Sequence, residues 1–329
     1  MVDLRQRLAE PGIIIMDGAT GTQLQQMGLP PGMAPELWNL KEPEKIKQHY
    51  RVYVEAGCDA ILTNSFGGTR PRLDMEQSGH LTHDVNVAAA RLAREVAGDK
   101  VIVMGSMGPT GLLMEPMGEL TYETAKVYFA EQAIALAEGG VDSLHIETLS
   151  DLQEVTAAIA GAQEATGLPV TATMSFDMHG RTMMGVSPAE AVKALWCTGV
   201  VAVGVNCGNT LKDNLEAITA MRTAMPDAVL IAKPNAGLPH TEDGIEVVYD
   251  VTPAIMAEYA CKFAFQRVKM MGGCCGSTPA HLVALREAIA GYTPPTLDEV
   301  LAANGSLQNS NGRSTNGRER RRERRRERA

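Results

Sequence analysis

The chain has 329 residues, of which 45% are hydrophobic and 21% are charged, and this composition excludes a disordered chain, a fibrous repeat and a disulfide-stapled mini-protein. Its formal net charge is −9, but residues 313–329 carry +6, which leaves −15 on residues 1–312. Such an acidic body argues against nucleic-acid binding, and a 4% content of aromatic residues offers few stacking surfaces for single strands.

The distribution of apolar residues predicts no membrane segment. No apolar run approaches the roughly 20 residues that a bilayer-spanning helix needs. The amino-terminal residues also lack the apolar core of a secretory signal, so we expect a cytoplasmic protein with six reduced cysteines.

Short apolar runs alternate with helical segments along the body of the chain and predict eight β–α units. Strands are expected over residues 13–18, 60–65, 101–106, 143–148, 170–176, 200–207, 229–235 and 267–274. Helices are expected over residues 43–56, 122–138, 151–166, 188–197 and 210–225. This order predicts an α/β fold, a (β/α)8 TIM barrel. A doubly wound sheet is disfavoured, because the turn at residues 17–22 lacks the glycine spacing of a dinucleotide site.

The composition changes near Ala303, so residues 1–303 are predicted to form the barrel domain. Residues 304–317 are rich in Asn, Ser and Gly and indicate a flexible linker. Residues 318–329 are Arg-rich, which indicates a disordered tail or, alternatively, an arm that docks on an acidic partner or a polyanion.

Three cysteines lie at two neighbouring strand ends, where a barrel carries its functional loops. Cys207 ends the sixth expected strand, and Cys274 and Cys275 end the eighth within a glycine cluster. Three thiolates without a fourth protein ligand predict an open zinc site. A redox dithiol is the alternative, although the C-x-x-C spacing is absent. The remaining cysteines, Cys58, Cys197 and Cys261, are expected to be small core residues.

A zinc ion held by three thiolates is a weak electrophile, so this site favours activation of a thiol over hydrolysis. The expected chemistry is therefore alkyl transfer to sulfur. Asp17 and Glu147 lie at other strand ends and are predicted to bind a substrate ammonium group. The backbone N–H groups of Gly18, Ala19 and Thr20 are predicted to bind the carboxylate of the same amino acid.

Four stretches, residues 16–22, 63–68, 204–207 and 272–276, resemble the zinc-dependent homocysteine S-methyltransferases. Within that family the chain is most similar to the homocysteine-binding module of cobalamin-dependent methionine synthase. The resemblance implies that Cys207, Cys274 and Cys275 ligate Zn2+ and that L-homocysteine is the substrate. It also implies that Asp17 and Glu147 clamp the amino acid, with Asn206 beside them as a further substrate-binding residue.

The resemblance leaves the methyl donor open among three classes. The body ends near residue 303, so the expected donor is methylcobalamin on a separate partner, a corrinoid protein or folate module acting in trans. Betaine is an alternative, for which Trp38 and Phe66 are candidate cage residues. S-methylmethionine is another, and a non-catalytic zinc- or thiol-binding protein is the alternative of a different class.

Overall fold

The computed structural model describes residues 2–176, 179–242 and 246–306, with the side chains of residues 241–242 and 246–248 excepted. Most of the expected linker and the whole of the expected tail, residues 307–329, lie outside the described residues.

Eight parallel strands form the predicted barrel, which confirms the expected fold. The strand order is β1-β10-β7-β6-β5-β4-β3-β2, and a parallel bridge between Met16 and Ala60 brings the two edges together. Every barrel strand lies within one of the eight expected apolar runs or within one residue of it. The barrel strands are β1 (Ile14–Ile15), β2 (Ala60–Leu62), β3 (Ile102–Met107), β4 (Ser143–Leu149), β5 (Val170–Met174), β6 (Ala202–Cys207), β7 (Leu230–Pro234) and β10 (Val268–Met271).

Helices cover the outside of the barrel, and the five predicted from the sequence begin and end within one residue of their expected bounds. Several begin at a hydroxyl or carboxylate that accepts a backbone N–H of the first turn, as Asp151 and Ser187 do. None of the helices in the described ranges is long and apolar enough to cross a bilayer. The helices are α1 (Leu4–Ala9), α2 (Gly21–Gln26), α3 (Trp38–Lys41), α4 (Pro43–Glu55), α5 (Arg70–Asp74), α6 (Thr82–Ala97), α7 (Tyr122–Gly139), α8 (Leu152–Thr166), α9 (Pro188–Trp196), α10 (Leu211–Ala224), α11 (Pro253–Phe265) and α12 (Pro279–Ala288).

An antiparallel hairpin between β7 and α11 was not expected from the sequence. Its strands are β8 (Pro239–Glu242) and β9 (Glu246–Tyr249). The ring of Tyr249 fills the space that a side chain at Gly276 would need, 2.2 Å from the position of that Cβ. The hairpin therefore ends against the loop that carries Cys274 and Cys275.

The interior of the barrel is apolar on one side and polar on the other. Residues such as Met16, Met104 and Ile231 form its apolar cluster, and Leu4 of α1 belongs to the same cluster. On the polar side, β4 and β5 contribute the buried His145 and Thr171, whose Nδ1 and Oγ1 atoms are 2.7 Å apart. Because Leu4 packs into the apolar cluster, helix α1 closes the end of the barrel opposite the strand carboxyl ends.

A further helix, α13, runs over residues 297–306 and continues past the boundary expected at Ala303. Its Val300 and Asn304 are buried, and Asn304 exchanges side-chain hydrogen bonds of 3.0 and 3.1 Å with Gln266. Residues 304–306 are therefore helical, because the buried amide pair holds this turn against the barrel.

The three cysteines expected in the core have different environments. Cys58 is buried and Cys261 is half-buried, but Cys197 is exposed. The core prediction for Cys197 is wrong, because α9 ends at Trp196 and Cys197 forms its solvent-facing cap.

Candidate metal and substrate site

Cys207, Cys274 and Cys275 converge at the carboxyl ends of β6 and β10. Their sulfur atoms all lie within 4.8 Å of one another, and the Sγ atoms of Cys207 and Cys274 are 3.0 Å apart. The three side chains are half-buried and line one cavity. Soft sulfur donors gathered on one side of an open space fit zinc, which takes three protein ligands and leaves a position free in catalytic sites.

Unusual backbone conformations direct this cluster. Cys207 and Thr148 have φ values of +54° and +66°, in the left-handed region that side chains other than glycine rarely adopt. Asn206 links the two strand ends, because its Oδ1 accepts the backbone N–H of Thr148 at 2.9 Å and the hydroxyl of Thr173 at 2.8 Å. Its Nδ2 donates to the hydroxyl of Thr148 at 2.6 Å.

The glycines beside the adjacent cysteines are needed for close packing. A Cβ at Gly273 would lie 2.2 Å from the hydroxyl of Ser277, and one at Gly272 would lie 2.7 Å from the carbonyl of Asp17. The N–H of Cys274 donates to the carbonyl oxygen of Pro234 at 2.8 Å, so the loop that carries the adjacent cysteines lies against the carboxyl end of β7.

The hydrogen bonds among the three thiols favour a state in which Cys275 is ionised and its neighbours donate to it. Hydrogen bonds from the thiols of Cys207 and Cys274 hold the pKa of Cys275 well below its usual range. The same contacts, together with burial, raise the pKa of Cys207 well above its ordinary value. A buried cluster of this kind stores one negative charge and gives up further protons when a cation enters.

The cavity above the cysteines has a volume of about 490 Å³. Its lining beside the sulfurs includes Glu147, Thr148 and Lys233, together with the predicted backbone segment Gly18, Ala19 and Thr20. The lining also includes Met33, Glu36, Pro35, Phe66, Gly67 and Arg72. This space admits an amino acid together with part of a second reactant.

Glu147 lies where the sequence places it, at the carboxyl end of β4 and facing the cavity. Its side chain accepts a hydrogen bond of 2.6 Å from the hydroxyl of Ser106 and is only 6% exposed. Burial, helped by the nearby charge of Cys274, raises the pKa of Glu147 to about 7. This carboxyl group is therefore only partly ionised in neutral solution, and a cation beside it would favour its charged form.

Asp17 has a different environment from Glu147. It is fully buried and is not part of the cavity lining, and its Oδ1 lies 2.6 Å from Nζ of Lys233. Its Oδ2 accepts the backbone N–H of Leu62 at 2.7 Å. Direct contact between Asp17 and a substrate stays a prediction.

Lys233 is a site residue that the sequence reasoning missed. It lies on β7, is 1% exposed and still lines the cavity. Burial disfavours its ammonium, but the charges of Asp17 and Glu147 outweigh burial and raise the pKa of Lys233. The signal was available, because a charged residue at the carboxyl end of an apolar strand had already singled out Glu147.

The segment from Gly18 to Thr20 is held by a tyrosine. The hydroxyl of Tyr53 lies 2.8 Å from the carbonyl of Ala19 and 3.1 Å from that of Ser277. The N–H of Ala19 itself donates to Ser277 O at 3.2 Å. The segment faces the cavity as predicted, while carboxylate binding by its N–H groups stays a prediction.

Two other expected site residues, Asn206 and Trp38, are not part of the cavity lining. Asn206 is fully buried and its amide is used by the hydrogen bonds described above, so its role in substrate binding also stays a prediction. Trp38 is buried beneath the ammonium of Lys45, 4.4 Å from the ring centre, whereas Phe66 lines the cavity. The two aromatic residues suggested for a betaine cage are not brought together in the cavity.

Comparisons with known proteins agree with this geometry. A family model described as homocysteine S-methyltransferase matches residues 14–289. The methionine synthase of Mycobacterium tuberculosis is 31% identical over 304 residues, which cover 86% of this chain and 25% of that protein. The methionine synthase of Mycobacterium leprae is 30% identical over 309 residues, 88% of this chain and 25% of that protein. The chain thus spans about a quarter of the length of these curated relatives.

Two solved structures share the barrel. The metallated form of the homocysteine methyltransferase MmuM from Escherichia coli superposes with a TM-score of 0.71 at 22% identity, covering 86% of this chain and 99% of that one. Its oxidized form gives a TM-score of 0.70 at 24% identity, covering 86% and 98%. These two likenesses concern the fold, and the family model concerns the sequence. The chain therefore belongs to the homocysteine S-methyltransferase family, an enzyme family whose reaction is methyl transfer to homocysteine.

Proposed function

We propose that this chain methylates the sulfur of L-homocysteine to give methionine, using Zn2+ held by Cys207, Cys274 and Cys275. The convergence of three cysteine sulfurs beside the carboxyl group of Glu147 carries this proposal. The methyl donor in the proposal is a methyl-corrinoid bound to a separate protein. The reduced state that these thiols require also makes the cytoplasm the proposed compartment.

The residues of the cavity have distinct tasks in this reaction. Zinc, when bound, lowers the pKa of a coordinated thiol and keeps the resulting thiolate nucleophilic at neutral pH. Glu147 binds the substrate ammonium, and the backbone from Gly18 to Thr20 binds the carboxylate. These two contacts orient the amino acid so that its sulfur points at the cysteines and away from water.

The donor enters from the outer part of the cavity. Met33, Glu36 and Phe66 belong to the lining, and the main chain of Gly67 donates to Glu36 at 2.6 Å. Because the transfer needs the methyl carbon in line with the attacking sulfur, the donor must fit between this wall and the cysteines. A corrinoid partner brings its methyl group to this opening from outside.

The first experiment measures methionine formation by the zinc-loaded protein. Homocysteine is supplied with free methylcobalamin, with betaine or with S-methylmethionine in separate reactions. We expect turnover with methylcobalamin only. Turnover with betaine or S-methylmethionine alone would replace the proposed donor and leave the acceptor chemistry standing.

Matched cysteine variants test the metal centre. Cys207→Ser should lose most of the zinc and about 100-fold or more in turnover, because even the loss of a group that only supports a metal ligand costs up to about 100-fold. Cys197→Ser, at the exposed end of α9, should keep both. Full turnover by Cys207→Ser without bound zinc would refute the proposed metal centre.

Cobalt substitution separates this function from non-catalytic zinc or thiol binding. An open site that takes homocysteine sulfur changes its cobalt absorption spectrum when homocysteine is added. A closed or purely structural site leaves the spectrum unchanged, and that result would favour the non-catalytic alternative.

A further inference from the structure

Among the described residues that line the cavity, Lys233 is the cation that lies on a barrel strand. Its Nζ lies 2.6 Å from Oδ1 of Asp17 and 3.1 Å from the carbonyl oxygen of the same residue. Arg72, the other cationic residue of the lining, lies on α5 instead. Lys233 is therefore anchored by two contacts to one residue, at a wall that faces the substrate space.

The titratable groups around Lys233 come from several elements and are predominantly acidic. They are Asp17 after β1, Cys58 after α4, His145 and Glu147 on β4, and Cys274 after β10. His145 adds no positive charge, because burial lowers its pKa to about 3. Lys233 therefore provides the positive charge in this group.

The charge balance of the site worsens when a thiol substrate arrives. Two carboxyl groups and a buried sulfur cluster already share the space with Lys233. A substrate thiolate adds one more negative charge, and accumulated charge in a buried site is costly unless a cation offsets it. An ammonium close to the added charge offsets it, because charges interact strongly where water is excluded.

We propose that Lys233 is a positioning residue that holds the Asp17 carboxylate and offsets the negative charge added when the homocysteine sulfur joins the cysteine cluster. This inference rests on the proposed function, because it assumes that the substrate binds through its sulfur. It gives the paired Asp17 an indirect role, through Lys233, in addition to any contact with the substrate.

The test compares Lys233→Met with Lys269→Met in cobalt-loaded protein. Lys269 is also a strand lysine, but it donates to the carbonyls of Glu10 and Gly12 at the opposite end of the barrel. Homocysteine is titrated between pH 6 and 9, and the change in cobalt absorption gives its Kd. We expect Lys233→Met to retain the metal, to bind homocysteine about tenfold more weakly or worse at pH 7, and to need a higher pH for binding.

Methionine distinguishes charge compensation from simple positioning of the amino-acid clamp. It has the same ammonium and carboxylate groups as homocysteine, but its thioether brings no negative charge. Measured by competition, its affinity should fall much less than that of homocysteine in Lys233→Met. An equal loss for both ligands, or an unchanged homocysteine Kd, would overturn the proposal.

A double variant keeps the proposal testable if Lys233→Met folds poorly with Asp17 left unpaired. Asp17→Asn combined with Lys233→Met removes both charges of the pair. We expect the double variant to bind homocysteine more weakly than Asp17→Asn alone, whereas equal binding by the two would overturn the compensating role. A wild-type protein without any homocysteine-dependent spectral change would instead refute the proposed function itself.

Discussion

Asp17 and Glu147 show that two carboxyl groups at equivalent strand ends acquire different properties from their contacts. Asp17 lies 2.6 Å from a buried ammonium and accepts a backbone N–H. Glu147 accepts a hydrogen bond from the hydroxyl of Ser106, while burial raises the pKa of Glu147 to about 7. Burial raises the pKa of both carboxyl groups, and the ammonium of Lys233 opposes that shift at both, with direct contact at Asp17 alone.

The raised pKa of Glu147 predicts a pH-dependent effect on stability. Since the ordinary value is 4.5 and the folded value is about 7, the folded state keeps a proton that the unfolded chain releases between these two values. The stability contributed by that proton is complete below pH 4.5 and is lost as the pH rises through 7. Glu147→Gln should therefore raise the free energy of unfolding by up to about 3 kcal/mol at pH 8, and hardly change it at pH 4.5.

Urea unfolding of metal-free protein at the two pH values measures this difference. Glutamine keeps an acceptor for Ser106, so the hydrogen bond itself is retained. Glu123→Gln, at an exposed position of α7, is the matched control and should have little effect at either pH. Equal stabilisation by Glu147→Gln at pH 4.5 and pH 8 would contradict the ionisation argument.

At the scale of elements, the link between β4 and β6 determines the shape of the cysteine site. Asn206 makes three hydrogen bonds to Thr148 and Thr173. Thr148 at the end of β4 and Cys207 at the end of β6 both have left-handed backbone conformations. Such conformations persist only where surrounding contacts enforce them. The amide of Asn206 supplies these contacts.

Asn206→Ala should therefore lower the free energy of unfolding by about 2–4 kcal/mol and reduce the zinc content at limiting metal. Thr173→Val, which removes one of the three bonds, should cost about 1 kcal/mol and leave zinc binding intact. Chemical unfolding and metal analysis of both variants provide the comparison. If Asn206→Ala lowers the free energy of unfolding and the zinc content no more than Thr173→Val does, the link does not determine the shape of the cysteine site.

The barrel strands and the five expected helices were predictable from local patterns, whereas the hairpin of β8 and β9 and several contacts between elements were not. Strand and helix positions follow from apolar periodicity, and the three cysteines were found because they stand at strand ends. The pair of Asp17 and Lys233 is separated by 216 residues, so only the closed barrel brings it together. Cys197 was misplaced because its exposure depends on where the last turn of α9 faces.

At the scale of the whole molecule, the folded body extends beyond the boundary expected at Ala303. Val300 and Asn304 of α13 are buried, and the amide of Asn304 contacts Gln266 at the end of α11 and Thr223 near the end of α10. Helices of a barrel end on the face opposite the strand carboxyl ends. The carboxyl end of α13 therefore lies on the face opposite the cysteines.

This docking predicts which carboxyl-terminal changes matter. Asn304→Ala should destabilise the protein by about 1–3 kcal/mol, because it leaves the buried amide of Gln266 unpaired. Asp298→Asn, on the exposed side of the same helix, should have almost no effect. Removal of residues 307–329 should leave the thermal midpoint unchanged if they form the disordered segment that their composition predicts. Calorimetry of the three proteins tests this, and a large loss on that removal would contradict the predicted tail.

The position of α1 at the base of the barrel has a consequence for metal exchange. With Leu4 in the inner apolar cluster and the N–H of Val2 bonded to Asp142 at 2.9 Å, the base is closed by packed side chains. An ion held by the cysteines as proposed would share the cavity, and its route to solvent, with the substrate. The amino acid would then have to leave before the ion could. Release of zinc to a chelator should accordingly slow as homocysteine fills the cavity, because the bound substrate blocks the path of the metal to solvent.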